Sequence, residues 1–139
     1  MQFLYIFLIT AVVMLALDAI WLLLIMAKVY RKSLSTIGRF GPTGAFAPKK
    51  GAILVVYIAM VTGFLFYVFP TIVAMRNTLG SFVYGAVFGI LVYAIYEFTN
   101  YAGLKDWPKK LVLVDTIWGG ILFGLTSVIV PRIIDILNI

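Results

Sequence analysis

Three acids stand inside otherwise apolar stretches of the chain: Asp18 in D-A-I-W, Glu97 in Y-E-F-T-N-Y, and Asp115 in L-V-D-T-I-W. A carboxyl group in such surroundings can exchange a proton, hold a cation or anchor hydrogen bonds. An acid at the centre of a membrane-spanning helix costs about 2.5–3.5 kcal/mol on insertion scales, and that cost marks it as a functional candidate. The chain has no cysteine and no histidine. Thiol nucleophiles, disulfides and thiolate metal sites are therefore excluded, and so is the usual proton acceptor near neutral pH. Chemistry falls to carboxylates, tyrosines, lysines, hydroxyls or the backbone.

Helical spacing groups other residues with these acids. Tyr93, Glu97 and Asn100 are four and three apart and share a face, and Tyr101 lies four beyond Glu97. Asp18 shares a face with Trp21, and Asp115 shares one with Trp118 and Gly119. Counting about 1.5 Å of rise per residue, Asp115 lies roughly 7 Å in from Lys110, Glu97 roughly 12 Å from Lys105 and Asp18 roughly 15 Å from Lys28. All three converge on one half of a small bundle. The expected substrate- or proton-binding set is thus Asp18, Glu97, Asn100, Asp115, Trp21, Tyr93, Tyr101, Trp118 and Lys105. The competing reading is a structural network in which these groups satisfy one another and fix helix packing. For Asp115, a nearby lysine and the positive end of its helix suffice as a reason. The three acids offer oxygen ligands of the kind Mg²⁺ or Ca²⁺ prefer. Their spacing does not demand an ion, so no metal, no cofactor and no catalytic residue is assigned.

The elements that position these residues follow from composition. The 139 residues are 64% hydrophobic and only 12% charged, with mean hydropathy +1.13. That is outside the range of soluble globular domains. Apolar segments of about 20 residues match a bilayer core of about 30 Å. Four such spans are expected, at about 3–27, 51–73, 80–101 and 111–130, in a single all-α integral membrane domain. The first is expected to be retained, because it lacks a basic start, is too long and contains an acid. Basic residues lie between the spans: Lys28, Arg31, Lys32, Arg39, Lys49 and Lys50 in the first loop, and Lys105, Lys109 and Lys110 in the third. Only Arg76 and Arg132 fall on the other side. The positive-inside rule then places loops one and three on the cytoplasmic side, with both termini outside. It also explains the net charge of +6 without nucleic acid. The same loops suit anionic lipid.

Finer features concern packing. A short surface helix is expected near 29–37, with Tyr30 as an interfacial anchor, and Trp107 is expected in the same role. Pro131 is expected to end the fourth span. Ser81, Gly85 and Gly89 recur every four residues, as do Gly120 and Gly124, a spacing that lets another helix approach closely. Such seams are candidates for helix packing, for a homo-oligomer, or for a membrane-protein partner. P-K-K precedes the second and fourth spans, each of which reaches a proline, Pro70 and Pro131. Two tandem helical hairpins would explain this weak repeat.

The motif N-Y-A-G-L-K-D-W-P, followed by L-V-D-T-I-W-G and preceded by D-A-I-W and Y-R-K, resembles a family of small four-span bacterial inner-membrane proteins of unknown function. The resemblance covers nearly the whole chain. Its motif falls on Asp18, Trp21, Glu97, Asn100, Tyr101, Leu104, Lys105, Trp107, Pro108, Asp115 and Trp118. The family sometimes has Asp where Glu97 stands, a change that preserves a carboxylate. The resemblance implies a four-helix protein of a bacterial inner membrane and no activity. Three functions compete. The leading one is a small proton- or cation-linked carrier. The second is a non-catalytic accessory or lipid-binding subunit whose acids pair with Lys105 or Lys110. The last is a lipid-directed membrane enzyme, which has no nucleophile motif to support it.

Overall fold

A computed structural model describes residues Met1–Ile139. Four helices are long and apolar enough to cross a membrane: α1 (Gln2–Ile25), α3 (Lys50–Met75), α4 (Thr78–Gly103) and α5 (Lys109–Leu137). A short helix α2 (Ala27–Ser33) follows α1. There are no strands beyond a single bridge between Phe40 and Phe46. The protein is a four-helix integral membrane bundle, as its composition dictates.

The buried positions of α1 are Thr10, Met14 and Asp18, four residues apart on one stripe. Thr10 needs no partner there, since its hydroxyl donates to the Ile6 carbonyl at 2.8 Å. The helix then widens into an i→i+5 turn over Ile20–Ile25, which closes when the Met26 amide donates to the Trp21 carbonyl at 2.8 Å. A second wide turn, Phe64–Val68, interrupts α3 just before Pro70. Pro70 has no N–H to offer the carbonyl four residues back, and a wide turn is one way for a helix to absorb that loss. Arg76 ends α3 in the left-handed region at φ 49°. The Asn77 side chain then caps α4 by accepting from the Gly80 amide at 2.9 Å.

Helices α4 and α5 make the largest contact in the molecule. Ser81, Gly85 and Gly89 are buried, and the two glycines lie against α5 at Phe123, Ser127 and Gly119. Gly89 lies directly against the Gly119 carbonyl. A Cβ on Gly85 would sit 2.6 Å from the Phe123 carbonyl oxygen, and one on Gly120 2.8 Å from Ile90 Cγ1. The four-residue seams therefore join two helices of the same chain. None of these glycines is left on the surface to receive another copy. The two hairpins are also unlike each other, because α1 and α3 touch far less than α4 and α5 do.

Pro131 does not end α5. The helix runs through it to Leu137. Ser127, Val130 and Ile134 lie on a buried face that continues past the proline. Packing of that face outweighs the cost of a missing hydrogen bond, about 3 kcal/mol, and membrane helices tolerate such prolines. The core itself is built from Met14, Val61, Phe64, Val68, Trp118, Leu122 and Phe123, contributed by α1, α3 and α5. Apolar side chains elsewhere face outward, Leu23 at 68% exposure among them, as lipid-facing positions should.

Residues 38–48 form a small hairpin over one end of the bundle. The Gly41 amide donates to the Ala45 carbonyl and the Ala47 amide to the Arg39 carbonyl, both at 2.8 Å. Gly44 adopts φ 71° at its tip, with the Arg31 guanidinium packed so closely that a Cβ would collide with it. Arg31 Nη2 donates to the Thr43 carbonyl at 2.9 Å.

Candidate functional site

The three acids come from three different helices, and each is almost fully buried: Asp18 is 6% exposed, Glu97 2% and Asp115 6%. Each accepts hydrogen bonds from aromatic side chains. Asp18 accepts from Tyr57 Oη at 2.8 Å and from Trp118 Nε1 at 2.7 Å, which ties α1 to both α3 and α5. Glu97 accepts from Trp107 Nε1 at 2.8 Å. Asp115 accepts a short hydrogen bond from the Tyr30 hydroxyl. Burial, with Asp115 as the next cause, pushes the Tyr30 phenol above its ordinary range, so Tyr30 keeps its proton and acts as a donor.

No lysine bonds to these acids. Lys105 and Lys110 are exposed, and every donor is an indole or a phenol. The expected pairing of the acids with Lys105 or Lys110 is therefore replaced by aromatic donors. The physical reason lies in geometry: a planar indole or phenol brings its polar edge into an apolar interior without carrying a charge there.

All three carboxylates line one cavity of about 180 Å³, together with Trp21, Tyr30, Tyr93, Tyr96, Trp107 and Trp118. Its lining contains no basic residue. Trp21 and Trp118 stack on each other in its wall, with ring centroids 4.4 Å apart and planes 1° from parallel. The indole N–H of Trp21 is buried beside Asp115 and Tyr30 without closing a well-formed hydrogen bond to either. Leu34 and Phe46, which follow α2 in the chain, also line the cavity. The space suffices for several waters or one small ammonium group, given about 30 Å³ per water. The acids do not approach closely enough to form a common metal-binding group.

Of the nine residues expected at the site, Asp18, Trp21, Tyr93, Glu97, Asp115 and Trp118 line this cavity. The other three are not brought to it. Asn100 lies one helical turn nearer the end of α4, where its Nδ2 donates to the Tyr96 carbonyl at 3.0 Å. Tyr101 turns outward at 40% exposure. Lys105 sits exposed in the turn that follows. Conversely, Tyr30 and Trp107, expected as interfacial anchors, are donors to the acids. Both lie in the motif stretches Y-R-K and D-W-P, so their roles had a signal. Tyr57 had none, being one aromatic in a long apolar run.

A family model described as "Predicted membrane protein (DUF2177)" matches residues 3–131. The chain belongs to that family, whose function is unknown. No curated protein matches it, and no solved structure does.

Proposed function

We propose that this DUF2177 member is a small proton- or cation-linked carrier whose binding groups are Asp18, Glu97 and Asp115. One observation supports the reading above others: three carboxyl groups from three helices meet in a single aromatic cavity with no basic residue in its wall. Buried charges of one sign cannot coexist unpaired, since each costs several kcal/mol even after relaxation. Holding protons or a cation relieves that cost. Exchange between those two states is the elementary step of proton-linked transport. Stacked indoles and phenols add attraction for an organic cation, about 2 kcal/mol or more when it is desolvated. In this reading the basic loops face the cytoplasm of a bacterial inner membrane and both termini lie outside.

The test is a flux measurement. Purified protein in vesicles containing a trapped pH dye is exposed to external tetramethylammonium. Proton efflux that depends on the cation is expected, and Asp18→Asn should abolish it while the protein remains monodisperse. Wild-type flux retained in both Asp18→Asn and Asp115→Asn, or no cation-dependent flux in the wild type, would remove the carrier reading.

A second reading has its own support, because every acid already has an aromatic donor. The protein would then be an accessory or lipid-binding subunit in which these bonds only lock the helices. It requires that Asp18→Asn lower stability without altering the binding of any cation.

A further inference from the structure

Beside the acid cavity lies a second space of about 520 Å³, bounded by α1, α2, the 38–48 hairpin and α3. Its walls are apolar along Leu15, Ala19, Leu23 and Ile53. It belongs to the bilayer-facing surface, where Leu23 is 68% exposed. At its loop end stand Lys28 and Arg31, three apart on one face of α2. Arg31 makes one hydrogen bond, to Thr43, out of the five that a guanidinium can donate.

The groove and the cavity adjoin. Leu22, Tyr30 and Phe46 line both. Tyr57 lines the groove and donates to Asp18, which lines the cavity. Two cations therefore stand in one of two adjoining spaces and three acids in the other, with an acyl-compatible channel running from the cationic side into the bilayer.

We infer that this pair of spaces binds a zwitterionic amine phospholipid, with its acyl chain in the groove, its phosphate at Lys28 and Arg31, and its ammonium group at the aromatic-walled acids. The inference rests on the cation-binding reading of the cavity and names the class of ligand. Charge complementarity selects it. An anionic lipid would satisfy Lys28 and Arg31 but would meet the acids with a like charge. A simple alkylamine would satisfy the acids but would pass two cations on its way in. Only a headgroup carrying both signs in sequence suits both sides.

Trp21, Trp107 and Trp118 are the chain's three tryptophans and all line the cavity, so their fluorescence reports occupancy directly. Protein in a non-ionic detergent is titrated with short-chain phosphatidylethanolamine, phosphatidylglycerol of the same chains, and dodecylammonium. Phosphatidylethanolamine should bind on the order of tenfold or more tighter than phosphatidylglycerol, the scale of one charge-assisted hydrogen bond. Lys28→Glu should weaken it by a similar factor and reverse its preference over dodecylammonium. Lys28→Gln, which removes the charge without inverting it, should do the same less strongly. Asp115→Asn should weaken both amine ligands. If phosphatidylglycerol binds as tightly as phosphatidylethanolamine, or if neither Lys28 variant changes the order, the lipid inference is overturned. Binding of dodecylammonium in that same experiment would leave the cation site standing. Absence of binding by either amine would overturn both.

Discussion

Helices α4 and α5 pack backbone against backbone, with Gly85 and Gly89 meeting Phe123 and Gly119. Helices α1 and α3 touch through side chains, and a single side-chain hydrogen bond, Tyr57 to Asp18, joins them. The first pair is joined by the short 104–108 turn, the second by α2 and the long 34–49 connection. Wide i→i+5 turns interrupt both α1 and α3, while α4 and α5 have none. The candidate site lies where these unlike halves meet. Glu97 and Asp115 come from the tight half. Asp18, Tyr30 and Tyr57 come from the loose one, which also carries the groove and the hairpin cover. Close glycine packing fixes the positions of two acids, while the third depends on how α1 and α3 pack against α5.

The sharpest attack on this contrast is Gly89→Leu. Its side chain would strike the Gly119 backbone, which cannot rotate away, so α4 and α5 must separate. A loss of about 3 kcal/mol or more is expected, at the upper end for overpacking. It would be read as a large fall in the temperature at which the detergent-solubilised protein loses monodispersity. A variant as stable as the wild type would show that the second hairpin is not the rigid half.

A smaller effect is expected from Tyr57→Phe, which removes the bond between α1 and α3 but leaves Asp18 its bond from Trp118. Side-chain hydrogen bonds in membrane proteins average about 0.6 kcal/mol and reach about 1.7. Stability should fall by that much, and hydrogen exchange should quicken in α1 and α3 but not in α4 and α5. Uniform acceleration through all four helices would contradict the division into halves.

The smallest change is Gly63→Ala in α3. Its added Cβ would meet only Phe88 Cζ at 3.5 Å and Cε1 at 3.8 Å, ordinary van der Waals distances. Helix propensity favours alanine by up to about 1 kcal/mol, so the variant should match or slightly exceed the wild type. Marked destabilisation would mean that α3 packs against α4 as closely as α5 does.

How much of the site was legible in the sequence depended on distance along the chain. Tyr93 and Glu97 are four apart, so helical period alone put them on one face. Asp18 with Trp21 and Asp115 with Trp118 were legible in the same way, and the basic loops indicated the common end. Asn100 shares that face, but period says nothing about where along it a cavity stops. The donors were harder to find. Tyr30 lies 85 residues from the acid it serves and Trp118 lies 100 from Asp18, separations at which sequence spacing carries no geometry. Pro131 misled for a related reason: its local cost is visible, while the packed face that overrides it belongs to other helices.

A four-span membrane bundle is dictated by the order of residues alone, because apolar length acts locally, through the bilayer. The same order names the side chains able to carry chemistry, by leaving three acids where none is cheap. It took the folded arrangement to bring those acids to one cavity, to satisfy them with aromatic edges rather than lysines, and to close the glycine seams within the chain. Those outcomes turn on which helix faces which, and that choice is made by packing among residues far apart in the chain.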